Sequence, residues 1–316
     1  MTDFNFKKWN TLLGWFAFLI AFITFTLTVE PTVSFWDCGE YISTSAKLEL
    51  GHPPGAPLFQ MIGAVFAMFA FESSQVALMI NMISVLSSAF TVLFMFWSSS
   101  LLLVKLVSKQ GSTLDKLQQI MILGSAFVGS LAFAFSDSFW YNAVEAEVYA
   151  MATFLIALLF WLGLKWEASF GSPYANRWLL LISLVVGFSF GVHIMALLTI
   201  PAITMIYFFK KYQKITPLNF IAFNGIGILI LVFVFKILIP FILEFFGRTE
   251  IFVVNSLGLP FNSGTILAFL IIVTAFVFGI YFTHKRGFAN ANTIILSILF
   301  IVIGFSSWLM LPIRAN

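Results

Sequence analysis

Asp37, Glu40 and Tyr41 stand at i, i+3 and i+4 within Glu30-Pro-Thr-Val-Ser-Phe-Trp-Asp37-Cys-Gly-Glu40-Tyr41, a stretch followed by His52-Pro-Pro-Gly-Ala-Pro57. If 36–48 is helical, the two carboxylates and the phenol share one face and converge on a single group. A carboxylate held in such a cleft accepts a proton from a weak nucleophile such as a serine or threonine hydroxyl, and its neighbour tunes it. Solvation of the outer end of a helix bundle accounts for the same spacing. A second segment, Ser136-Asp137-Ser-Phe-Trp140-Tyr141-Asn142-Ala-Val-Glu145-Ala-Glu147-Val-Tyr149, repeats the mixture of acids and aromatics. Glu145 and Glu147 have no local cation, and they suit positioning an acceptor, binding a metal, or simple hydration.

Other polar residues are harder to assign by spacing. His52 precedes Pro53 and Pro54, where a turn histidine serves as well as a catalytic one. His193 falls between two apolar runs and reads as a helix-end histidine satisfied by a neighbouring carbonyl. No His pair has zinc spacing and no Gly-rich phosphate loop follows a strand, so neither a zinc hydrolase nor a nucleotide-binding fold is indicated. No metal ligand is assigned, although a divalent metal is compatible with the acids. Arg248 and Arg314 could grip a phosphate in a two-pronged fashion, with Lys236 completing a ring around a lipid phosphate. Pairing of Arg248 with Glu244 or Glu250 fits equally well.

The elements that hold these residues lie in lipid. The chain is 61% hydrophobic and only 9% charged, against about 25% charged in soluble domains. It reads as one all-α polytopic membrane domain over 1–316. Apolar runs predict nine spans near 12–29, 78–104, 118–135, 148–164, 178–193, 195–209, 219–243, 264–283 and 293–311. The apolar segment 53–71 is interrupted by Pro53, Pro54, Gly55 and Pro57, leaving an uninterrupted part too short to span, and it is expected as an interfacial helix inside a first outer loop of 30–77. A second outer loop is expected at 244–263. With the N-terminus inside, twelve of the sixteen Lys and Arg fall on the cytoplasmic side, and ten of the thirteen acids fall on the outer side. The C-terminus is then outside. Cys38 is the lone cysteine, so no internal disulfide can form.

Thr28-Val-Glu30-Pro31-Thr-Val-Ser-Phe-Trp36-Asp37-Cys-Gly-Glu40 and Gly51-His-Pro-Pro-Gly-Ala-Pro-Leu58 resemble the protein O-mannosyltransferase-like family of Bacteroidota, a branch of the C-type glycosyltransferases with vertebrate relatives that O-mannosylate plexin-type domains. Asn142-Ala-Val-Glu145-Ala-Glu147-Val-Tyr149, Gly191-Val-His193 and Pro312-Ile-Arg314-Ala-Asn extend the likeness. The resemblance implies a C-type bundle that moves mannose from a polyprenyl-phosphate carrier to Ser or Thr of exported proteins with inversion. It implies Asp37 as general base beside Glu40. Tyr41, His52, Pro53, Pro54, Glu145, Glu147, Tyr149, His193, Arg248 and Arg314 would contact substrates. A bacterial inner membrane with the site facing the periplasm, and an extracytoplasmic C-terminal region lying beyond this sequence, complete the expectation. A lipid or surface-glycan acceptor, or a transporter or flippase, are the competing readings. The transporter would place its ionisable groups at the midplane rather than at the rim.

Overall fold

A computed structural model describes residues 4–53, 55–108, 114–212 and 214–314. Fourteen α-helices run through them: α1 Phe6–Leu27, α2 Cys38–Lys47, α3 Pro57–Ala67, α4 Val76–Val107, α5 Lys116–Ala134, α6 Asp137–Ala143, α7 Val148–Ala168, α8 Asn176–Phe190, α9 Thr199–Lys211, α10 Pro217–Val232, α11 Ile239–Leu257, α12 Ser263–Lys285, α13 Ala289–Phe305 and α14 Met310–Arg314. No strand occurs among the described residues. Local chemistry sets several starts. Asn5 caps α1 by accepting from the Lys8 N–H, and Asp115 with Gln118 closes a capping box on α5. Thr216 with Asn219 does the same for α10, which begins on Pro217.

Eight helical stretches are long and apolar enough to cross a membrane, so the chain is an all-α polytopic membrane protein. All nine predicted runs are helical, but the fifth, Asn176–Phe190, has only 15 residues and falls short of that length. The predicted break after it is present: α8 stops at Phe190, and a 3₁₀ turn Ile194–Leu198 leads into α9. The expected outer loop at 244–263 is corrected. The helix begun at Pro217 continues through a π segment, Phe233–Leu238, to Leu257, leaving a connection of only a few residues before α12. Pro240 does not break it: it is the second residue of α11, directly after the π segment, where the wider turn accommodates a residue without an N–H.

The largest buried cluster joins α3, α4, α7, α8, the turn after α8 and α13. A second joins α1 to α4, α5 and α6. Helical stretches 217–257 and 263–285 bury only 17% and 6% of their most apolar windows, so they form the lipid-facing outer layer. Small residues set the tightest crossing. A Cβ on Gly304 would sit 2.4 Å from the Leu184 carbonyl oxygen, and one on Gly187 would sit 2.8 Å from Gly304 Cα. Backbones approach this closely only without side chains, which is how membrane helices gain packing where no hydrophobic effect drives them together.

The bundle has two chemically different ends. α4 and α7 start together, where the Ser84 hydroxyl donates to the Glu147 carbonyl, and finish together, where Lys105 pairs with Glu167. The 21 helical steps from Ser84 to Lys105 span about 32 Å, close to one hydrocarbon thickness. α1 runs the other way, with the Trp97 indole donating to the Asn10 carbonyl and the Trp140 indole donating to Thr28. Lys7, Lys8, Lys105 and Lys165 therefore lie at one end. Asp37, Glu40, Glu145 and Glu147 lie at the other.

Candidate functional site

The first inter-helix segment is built to release one carboxylate. Asp37 takes the N-cap position of α2, where an aspartate usually accepts from the first-turn amides, yet its side chain makes no capping bond. Its carboxylate is left exposed. The backbone is pinned instead. Asn81 of α4 donates to the carbonyls of Glu30 (2.6 Å) and Thr32 (2.9 Å), and the Glu30 N–H donates to the Val144 carbonyl. Ser34 donates its hydroxyl to Glu145. The Asp37 N–H donates to Glu147 Oε1 at 3.2 Å, and the Cys38 thiol lies 3.7 Å from the same oxygen. Segments more than 100 residues apart are thus joined by two glutamates, and those glutamates are 3% and 5% exposed.

Trp36, Asp37, Tyr141, Asn142, Glu145, Glu147 and Tyr149 line a cleft of about 270 Å³. No Lys or Arg forms an ion pair with its acids among the described residues. Burial, and then the nearby Asp37 charge, push the Glu147 carboxyl above its ordinary range. Burial first, and the same carboxylates second, raise the Cys38 thiol and the Tyr41 phenol. Both stay protonated at neutral pH, which makes Cys38 inert as a nucleophile.

Beside the cleft, Glu40 and His52 are locked together. His52 Nδ1 lies 2.9 Å from Glu40 Oε2, and the His52 backbone N–H donates to Oε1. Gly51 permits this approach, since a Cβ there would stand 3.0 Å from Glu40 Oε1 and 3.1 Å from Gln60 Nε2. The hydrogen bond from His52 holds Glu40 below its usual pKa, and the same bond raises that of His52, so each group favours the charged form of the other. One ligand atom each from Asp37, Glu40 and His52 lies within 4.8 Å of the others. Among the described residues these three side chains lie close enough together to hold a metal ion, although no single sequence spacing marked the group.

The remaining predicted residues are placed as follows. Tyr41 is half-buried, edge-on to Phe59 and 6.2 Å from the His52 ring. Tyr149 lines the cleft, and its ring centre is 5.3 Å from that of His193, which brings His193 to the cleft's edge. His193 is not satisfied by a carbonyl: its Nδ1 accepts the Met195 N–H and caps the following turn, and burial lowers its pKa, keeping it neutral. Pro53 is exposed in the turn closed by the Gly55 N–H on the His52 carbonyl. Pro54 lies outside the described residues.

The two arginines do not gather into a ring. Arg248 forks onto Glu244 one turn back on the same exposed helix face. Lys236, on that same helix, is about 18 Å away along the axis. Arg314 donates to the Leu48 and Lys47 carbonyls at the end of α2. A helix C-terminus presents unpaired carbonyls that attract a guanidinium, and this satisfies Arg314 locally. Neither arginine lines the cleft. The cleft also takes in Trp36, Tyr141 and Asn142, to which spacing alone assigned no role. Their adjacency to Asp37 and Glu145 was the available signal.

A family model described as the protein O-mannosyl-transferase TMEM260 N-terminal domain matches residues 37–216. The matched stretch opens on Asp37 and includes Glu40, His52, Glu145, Glu147 and His193, while Arg248 and Arg314 fall outside it. Among curated proteins, protein O-mannosyl-transferase tmem260 of Dictyostelium discoideum is 26% identical over 149 residues, covering 46% of this chain and 16% of that protein. Protein O-mannosyl-transferase TMEM260 of Mus musculus is 27% identical over 171 residues, covering 53% of this chain and 21% of its own length. The chain thus spans about a fifth or less of the curated relatives it matches. No solved structure matches it.

Proposed function

The chain belongs to the family of the protein O-mannosyl-transferase TMEM260 N-terminal domain, and from that premise we propose that it transfers mannose from a polyprenyl-phosphate carrier to Ser or Thr hydroxyls of exported proteins. The observation that carries the reading is the Asp37 carboxylate, freed from helix capping and held at the mouth of an acidic, aromatic cleft by buried Glu147. Asp37 takes the proton of the acceptor hydroxyl as that oxygen attacks the anomeric carbon. The polyprenyl phosphate leaves as a stable anion that needs no protonation, so one base suffices. Attack opposite the leaving group inverts the anomeric centre. Glu40, already bonded to His52, steadies α2 and the turn after it rather than sharing the proton transfer.

The cation-rich end of the bundle faces the cytoplasm under the positive-inside rule, which turns the cleft outward, toward the periplasm of a bacterial inner membrane. The rim position of the acids supports surface chemistry over passage through the bilayer. The test is incubation of the detergent-solubilised protein with radiolabelled polyprenyl-phosphate mannose and periplasmic proteins, beside Asp37→Asn. Label should reach protein only with the native aspartate. Equal labelling by the folded variant refutes the assignment.

A further inference from the structure

Trp36 is the least economical residue in the fold. It is 86% exposed, its ring pairs with no other aromatic ring among the described residues, and its φ of +60° puts a bulky side chain in the left-handed region. Such a backbone is unfavourable for any residue with a Cβ and persists where the surroundings impose it, commonly at ligand sites. The imposition is visible. Asn81 fixes the chain at Glu30 and Thr32, Glu145 fixes Ser34, and Glu147 fixes the Asp37 N–H immediately after the tryptophan. These anchors hold Trp36 in the lining of the cleft that Tyr141 and Tyr149 also line, and those two tyrosines are 47% and 45% exposed. A tryptophan of the interfacial membrane belt needs neither a strained backbone nor a carboxylate-lined cleft.

The cleft lining combines three aromatic residues, Trp36, Tyr141 and Tyr149, each at least 45% exposed, with the polar side chains of Asp37, Asn142, Glu145 and Glu147. A sugar ring has the matching chemistry: its C–H face is apolar and its edge carries hydroxyls. At about 270 Å³ the cleft falls just under the roughly 300–1,000 Å³ of sites for drug-sized ligands, a space for one ring rather than a chain. We propose that Trp36, with Tyr141 and Tyr149, is the platform on which the hexose of the donor stacks, beside the carboxylate of Asp37. This rests on the glycosyl-transfer reading above and assigns the residues that recognise its sugar.

Glycine adopts a φ of +60° without cost, so Trp36→Gly separates the two roles of the residue. The experiment measures the thermal midpoint of the purified protein and its dissociation constants for polyprenyl-phosphate mannose and for bare polyprenyl phosphate, in wild type, Trp36→Gly and Trp36→Tyr. The expected result is an unchanged or raised midpoint in Trp36→Gly, a loss of roughly ten-fold or more in affinity for the mannosyl lipid, and unchanged affinity for the bare phosphate. Trp36→Tyr should keep most of the mannosyl-lipid affinity. Equal loss for both lipids would make Trp36 a bilayer anchor, and a lowered midpoint in Trp36→Gly would make it part of the packing. Either overturns the proposal, as does full affinity in the glycine variant. A wild type that binds both lipids equally overturns the donor reading itself, and the platform with it.

Discussion

Glu147 offers the sharpest test of how the site is held, because alanine and glutamine in its place should act in opposite directions. Its Oε1 is the acceptor for the Asp37 N–H at 3.2 Å, and the side chain is only 5% exposed. Alanine removes that acceptor and leaves a part-buried amide unpaired, a cost of about 1–3 kcal/mol, offset in part by removal of a buried charge. Glutamine keeps a carbonyl oxygen for the amide and removes the charge outright. The pH dependence follows from the direction of the shift. Burial raises the Glu147 pKa in the folded state above the ordinary 4.5, so between the two values the folded protein holds a proton that the unfolded chain has lost. Stability therefore falls as pH rises through that window and stays lower above it. The thermal midpoint of Glu147→Gln should match wild type below about pH 4 and exceed it at neutral pH. For activity, loss of the tether lets Asp37 drift, and a displacement of about 1 Å costs on the order of a hundred-fold in rate. The proposed mannose transfer should fall to that extent in Glu147→Ala and far less in Glu147→Gln. A glutamine variant less stable than wild type at neutral pH would mean that the buried charge is compensated, and an alanine variant that transfers as fast as the glutamine one would mean that Glu147 does not hold Asp37 in place; either result refutes this role.

Further consequences are open to measurement. The imidazole of His52 should titrate above the ordinary histidine range by NMR and return toward it in Glu40→Gln, since the Glu40 hydrogen bond is the main cause of its shift; the stabilisation it provides is complete at low pH and lost as pH rises through the raised value, while Glu40's share is lost as pH falls through its lowered one. Gly191→Ala would set a Cβ 2.4 Å from Ser307 Oγ and 2.7 Å from Leu58 Cβ, straining the contact in which Leu58 and Phe59 donate to the Gly191 carbonyl; the expected destabilisation is about 1–3 kcal/mol, read by denaturation in detergent. Arg248→Ala should change stability by less than about 0.5 kcal/mol, because its bond to Glu244 is an exposed pair on one helix. Arg314→Ala should cost about 1 kcal/mol or more, because charged hydrogen bonds to two helix-end carbonyls are lost.

Composition and periodicity determined the solvent, the helical class and the position of every apolar run, because a membrane helix must satisfy its own backbone and so announces itself as a long greasy segment. The same patterning separated most acids from most cations along the chain, and the bundle sets Asp37, Glu40, Glu145 and Glu147 at the end opposite Lys7, Lys8, Lys105 and Lys165. The Asp37 motif could be read locally, since its members are consecutive and lie on one short helix. What spacing could not give was the company each residue keeps. Glu147 meets the Asp37 amide across 110 positions, His52 turns back on Glu40 only because Gly51 lets the loop approach, and Arg248 is satisfied by a neighbour one turn away. The outer loop expected at 244–263 was lost to a helix that carried on past its proline, since π widening accommodates what a hydropathy window treats as a boundary. Trp36 shows the division most plainly: its identity was in the sequence, but the strained backbone and the open cleft beside it exist only because distant segments are tied together around it.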